Sequence, residues 1–353
     1  MMHTWLLLLT LQGGSADLVY VANQDAAKIT VIDASTNTAI DTVDLQQLGF
    51  SPNAKPHHVV VEPDGSYWYV SLIGDNRVLK FNRNNDLIGQ AAFDVAGMLA
   101  IHPTRDLLFV SRSMSAVNPP QRIGVIERAS MSIDEIDVFF PRPHAIAVDR
   151  RGTHLYVGSL GQNRIVSVNL DTDEIEFADV GGGTPHSFVQ FAVSPDSNTL
   201  VATTELTGKL LVFDIATAGR PVLSATVDVN PAPWDPIFTP DGRSVYFGNQ
   251  RTNTITVVET SNWQIVTVIE GEGLAQPYGS IVSPDGRYVY VANRHIGGGD
   301  HSAHGVGQTD RVATVVVFDT QTNTIKRVIE VPGDATGIGA RAAPPARSAG
   351  RRP

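Results

Sequence analysis

Apolar residues along this chain come in short bursts, each announced by a turn. The clearest burst is Ser283–Asn293, SPDGRYVYVAN. Its head, Pro284-Asp285-Gly286, consists of turn formers: proline presets φ, aspartate bonds its own backbone, and glycine accepts positive φ. Its body, Tyr288–Asn293, is a run of aromatic and β-branched residues closed by asparagine, which predicts a strand. The same turn-then-strand unit returns as EPDGSYWYVS (Glu62–Ser71), SPDSNTLVAT (Ser194–Thr203) and TPDGRSVYFGN (Thr239–Asn249). Looser copies occupy His102–Ser111 and Asp149–Gly158, and a copy without its turn, LVYVAN, covers Leu18–Asn23.

Spacing converts these copies into an architecture. The central residues of the seven strands are Tyr20, Tyr69, Phe109, Tyr156, Val201, Tyr246 and Tyr290, at steps of 49, 40, 47, 45, 45 and 44 residues. A period of that length with several short strands per repeat predicts an all-β, seven-bladed β-propeller, one blade per repeat. Each repeat reads as four strands. In the last they are Tyr278–Val282, Val289–Asn293, Ala313–Asp319 and Thr324–Val331, with a polar turn, DTQTN, before the outermost. Counterparts of that turn are DASTN (Asp33–Asn37) and ETSNW (Glu259–Trp263). The first blade lacks an inner strand, and ATGIGA (Ala335–Ala340) is expected to supply it, closing the ring and removing exposed sheet edges.

Two of these motifs carry a resemblance. VYVAN at Val19–Asn23 and Val289–Asn293, followed by ITVIDASTNT (Ile29–Thr38) and VVVFDTQTNT (Val315–Thr324), resembles the YVTN-repeat propellers, YncE-like proteins related to nitrite-reductase-type and lactonase-type propellers. The likeness spans about Asp17–Ala340. It implies a propeller and leaves function open. The turns at Thr104-Arg105 and Arg150-Arg151 depart from the pattern.

Composition narrows the function classes. Residues 17–340 are expected to form one domain, with 341–353 a disordered, proline-rich tail. Net charge is −10, and the four arginines of the tail leave the remainder at −14. Such an acidic body disfavours nucleic acid and anionic membrane as partners. With no cysteine in the chain, disulfides, thiolate chemistry and haem attachment through cysteine are excluded. The start, MMHTWLLLLTLQGGSA, reads as a secretory signal cut after Ala16, although no Lys or Arg precedes its apolar run. That implies a periplasmic or secreted protein. No other stretch is long enough to span a bilayer, and a monomer is expected.

Candidate chemistry follows from propeller geometry. Inner strands begin at the face where the loops between second and third strands emerge, around the mouth of the central channel. Seven residues before the aspartate position of four turns lie His57, His144, Trp234 and Tyr278, each preceded by proline; blade 3 gives Gly97 and the closing strand Thr336. Blade 5 is out of step: the count reaches Val189, while His186 falls earlier in the loop. His57, His144, His186, Trp234, Tyr278 and Arg294 are therefore the candidate ligand-binding set; as an alternative, a Pro-His pair can simply cap a strand. The insertion Arg294–Asp310 brings His295, His301 and His304, beside Asp300 and Asp310. Imidazole and carboxylate suit a transition metal, zinc or copper, although a solvated loop would carry the same residues. GxSxG, P-loop and HExxH motifs are missing, so no residue is assigned as catalytic. A lactonase-like site would have to draw on Glu205, Arg112, Arg294 and the rim histidines. His58 and His102 are expected in blade packing and His154 at the surface. The composite expectation is a non-catalytic propeller binding a small molecule, metal ion or partner protein at the channel mouth. The alternatives are a lactonase-like or metal-dependent hydrolase, or a structural cell-surface propeller.

Overall fold

The computed structural model describes residues 17–114, 118, 120–217, 219–294 and 312–343. These form seven four-stranded antiparallel sheets arranged as the blades of a ring. Blade 7 shows the unit: Pro277–Val282, Tyr288–Asn293, Val312–Asp319 and Thr324–Pro332, from channel to rim. The ring closes as expected. Ala335–Arg341 pairs antiparallel with Leu18–Asn23, in the register Leu18 to Arg341 and Tyr20 to Gly339, one residue longer than the sequence suggested.

The turn heads fold as their chemistry dictates. In blade 7, Gly286 sits at φ 74° and donates its amide to the Ser283 carbonyl, while Asp285 accepts the amide of Arg287. Blade 3 lacks that aspartate, and His102 replaces it: its Nδ1 accepts from the amides of Thr104 and Arg105, and its Nε2 donates to Gly152 of the next blade. The polar outer turns also join neighbours. The Tyr290 hydroxyl bonds Asn37 of blade 1, and Tyr246 bonds Asn323 of blade 7. Both asparagines hold left-handed φ, which their short polar side chains tolerate.

The core lies between blades. Trp68 of blade 2 stacks on Tyr20 of blade 1 at 4.6 Å and on Phe81 at 4.1 Å; such pairs add about 0.5–1.5 kcal/mol each beyond area burial. Inner strands bulge near their starts, and the amides freed there are capped from the adjacent blade. His58 accepts from Leu99 N, Gln190 from Ile146 N, and Asp235 from Ser280 N, at 3.0–3.1 Å. Blade 6 departs furthest from the pattern. Its inner strand shrinks to Ile237–Phe238, because Pro231, Pro233 and Pro236 cannot donate to a ladder; Trp234 is held instead by one amide bond to Gly248 O. His154 is half-buried rather than at the surface, stacked on Tyr156 at 6.3 Å. No helix among the described residues is long and apolar enough to cross a membrane.

Candidate functional site

A cavity of about 560 Å³ opens at the end of the channel where the inner strands begin. Two sequence positions supply most of its wall. One is the start of the inner strands, giving His57, Trp234 and Tyr278. The other is the first residue beyond each second strand: Gln24, Ile73, Ser113, Glu205, Gln250 and Arg294. A residue there has just left the ladder, so its side chain turns toward the axis.

The aromatic part of the wall is continuous. Trp234 and Tyr278 lie 4.9 Å apart, and His57 meets Tyr278 edge-on at 5.9 Å. Arg294 lies over the Tyr278 ring at 5.4 Å and forms a two-point ion pair with Asp334, at 2.7 and 2.8 Å. Asp334 immediately precedes the closing strand, so ring closure positions the site's arginine. Burial by itself would lower the Arg294 pKa; the bonds and charge of Asp334 outweigh it and hold the guanidinium above its ordinary value. Lys55 and Arg251 add positive charge at the rim, against Glu205. A cationic mouth thus sits in an acidic body.

Burial disfavours the charged form of His57 and His144. Burial drives His57 well below the ordinary imidazole range, helped by the nearby charges of His144, His58 and Arg294. Burial takes His144 down to about 4, opposed in part by its bond to the Val189 carbonyl. Asp235, next to Trp234, is pushed up to about 7 by burial, opposed by the amide of Ser280.

Four of the candidates, His57, Trp234, Tyr278 and Arg294, come together in the cavity wall. His144 lies behind His57, with ring centroids 6.4 Å apart, and is fully buried. His186 does not join them. It is held off the cavity between Gly181 O at 3.1 Å and Thr207 at 2.9 Å, because the inner strand of blade 5 starts only at Phe188 and the buried Val189, packed with Trp234 and Tyr278, takes the matching strand position. Arg112 is likewise elsewhere: it packs on Phe93 and bonds Asp94 O and Glu135. His295, His301 and His304 lie outside the described residues, as do residues 1–16. Among the described residues no group of three or more His, Asp or Glu side chains is placed to hold a metal. Gln24 and Gln250 escaped the sequence reading, although each follows the strand-ending asparagine as Arg294 does, and that shared position was the available signal.

No family model and no curated protein matches the chain. Solved structures do resemble it. A periplasmic gluconolactonase from Pseudomonas aeruginosa is 18% identical, with a TM-score of 0.70 over 94% of this chain and all of the other. A protein of unknown function from Desulfotomaculum acetoxidans is 13% identical, with a TM-score of 0.71 over 92% and 99%. Hydrazine synthase from Kuenenia stuttgartiensis is 22% identical, with a TM-score of 0.60 over 75% and 77%. At these identities the likeness shows the fold alone.

Proposed function

We propose that the channel mouth binds a small anion with a flat or ring-shaped body, and that the chain is a binding propeller of the YVTN-repeat kind. One observation carries this reading. Arg294 is set by Asp334 against the Trp234–Tyr278 surface, in the same cavity where the buried Gln250 amide nitrogen has no hydrogen-bond partner. A fixed guanidinium and an unsatisfied donor call for an acceptor-rich group, and the aromatic wall calls for a flat face. Calorimetry with benzoate, cyclohexanecarboxylate and D-glucose tests it. The two anions are expected to bind and glucose not, and Trp234→Ala should weaken benzoate about tenfold. Glucose binding as well as the anions, or no binding of any of the three, would remove the reading.

A second reading is lactone hydrolysis. It draws on Glu205 and His57 lining the same cavity as Arg294, and on the printed activity of the Pseudomonas neighbour. Arg294 would stabilise the carbonyl oxygen and Glu205 would take a proton from the attacking water. Hydrolysis of D-glucono-δ-lactone above its spontaneous rate, abolished in Glu205→Gln, supports it; a rate equal to buffer removes it. Export belongs to the same proposal, with Met1–Ala16 removed, residues 17–340 as one domain and the protein monomeric. Terminal sequencing of exported protein should begin at or near Asp17.

A further inference from the structure

We propose that the channel mouth takes a flat zwitterion, with its carboxylate on Arg294 and a cationic amine on Glu205. This rests on the anion reading of Arg294 above and adds the second end of the ligand.

The repeats set the geometry. The first residue beyond the second strand is an equivalent position in every blade, and in blades 5, 6 and 7 it is Glu205, Gln250 and Arg294. All three line the same cavity. Blade 6 packs between blades 5 and 7, so a carboxylate and a guanidinium face the opening two blade steps apart, with an amide between them. The aromatic wall runs along the same arc: Trp234 starts from blade 6 and Tyr278 from blade 7, 4.9 Å apart, and Arg294 lies over Tyr278. A flat body on that wall has an anion site at its blade 7 end and an acidic side chain toward blade 5.

Both ends have bonding capacity left. Asp334 takes Nε and Nη2 of Arg294, and Nη1 bonds none of the described residues. The buried Gln250 amide nitrogen beside it has no partner. Glu205 is half-buried, and among the described residues it enters no ion pair; its side chain accepts one long bond, 3.4 Å, from the Ser187 hydroxyl. Arg251 of blade 6 is exposed and forms no ion pair with it. A half-buried carboxylate without a counter-ion calls for a cation, which makes a shorter and stronger bond to it than a neutral donor does. The same charge repels a second anionic group on the ligand. The ligand class is therefore an aromatic or similarly flat amino acid whose amine and carboxylate stand at opposite ends, a size that a cavity of about 560 Å³ admits.

Calorimetry on the full chain at low ionic strength, with three acids of one shape, is the test: 4-(aminomethyl)benzoate, 4-(hydroxymethyl)benzoate and 4-ethylbenzoate. They differ in one terminal group, which is a cation, a neutral donor or a methyl. The aminomethyl acid should bind at least about tenfold more tightly than the ethyl acid, with the hydroxymethyl acid nearer the ethyl one. Glu205→Gln keeps the shape of the side chain and removes its charge; it should bring the aminomethyl and ethyl acids to within about twofold of each other. A hydroxymethyl acid that matches the aminomethyl acid would mean that Glu205 accepts any donor, and would overturn the cationic class. Equal binding of the aminomethyl and ethyl acids, or a preference that survives Glu205→Gln, would overturn the role of Glu205 while leaving the anion site standing. If none of the three binds, the anion site falls and the zwitterion falls with it.

Discussion

Acidification should unfold this protein by a route that the channel wall specifies. His57, His58 and His144 are neutral in the folded state, His144 down to about 4 and His58 to about 3, all through burial first. In the unfolded chain each titrates near 6.5. Below that pH the unfolded state gains three protons that burial keeps off the native state, down to about pH 4 at His144 and about pH 3 at His58. Asp235 works the other way. Its folded value near 7 means that the native state holds a proton that the unfolded state has released. The net difference is two protons in favour of the unfolded state, and each is worth about 1.4 kcal/mol per pH unit. Stability should therefore level off above about pH 7 and fall by about 2–3 kcal/mol between pH 6 and 5. His102, also lowered by burial, steepens the slope further. Asp235→Asn removes the opposing proton, and the fall should grow to about 4 kcal/mol over the same unit. Urea unfolding at pH 7, 6 and 5 on both proteins reads this directly. A flat profile from pH 6 to 5 would refute the buried neutral histidines, and parallel slopes for the two proteins would refute a protonated Asp235.

Asp334→Asn keeps the left-handed φ of 55° within reach of its side chain but leaves the Arg294 charge without its carboxylate; a loss of about 3 kcal/mol is expected, seen as a melting point lower by about 4–6 °C, and an unmoved melting point would show the pair to be idle. Gly337→Ala sets a methyl carbon 2.2 Å from the His57 carbonyl oxygen where the closing strand meets blade 2, so it should destabilise severely, whereas Gly181→Ala, with nothing within 4 Å, should leave thermal unfolding unchanged. The metal reading of His295, His301 and His304 expects stoichiometric zinc or copper in untagged protein by elemental analysis, lost in the His301→Ala/His304→Ala double variant. Metal-free protein whose melting point ignores added zinc or copper would end that reading.

The fold was legible in the sequence because it is a local property repeated seven times. A proline-aspartate-glycine turn and a run such as Tyr288–Asn293 specify a strand wherever they occur, and a regular period leaves a ring of blades as the solution. Closure by Ala335–Arg341 was legible for a similar reason: the first repeat lacked one strand and the chain end had one to spare. His57, Trp234 and Tyr278 could be placed at the channel mouth because strand position alone puts them there, whereas Arg294 entered only as the first residue of the insertion. His186 could not be ruled out in advance, since its place depends on where the blade 5 ladder begins, and bonds to Gly181 and Thr207 decided that. The Arg294–Asp334 pair spans 40 residues and the His57–His144 contact 87. Neither leaves a trace in local pattern, because each comes from curling seven sheets about one axis. The shifted ionisation of His57, His144 and Asp235 is likewise a product of tertiary structure: sequence supplies the ionisable groups, and only the packed ring removes the water that would have solvated their charged forms.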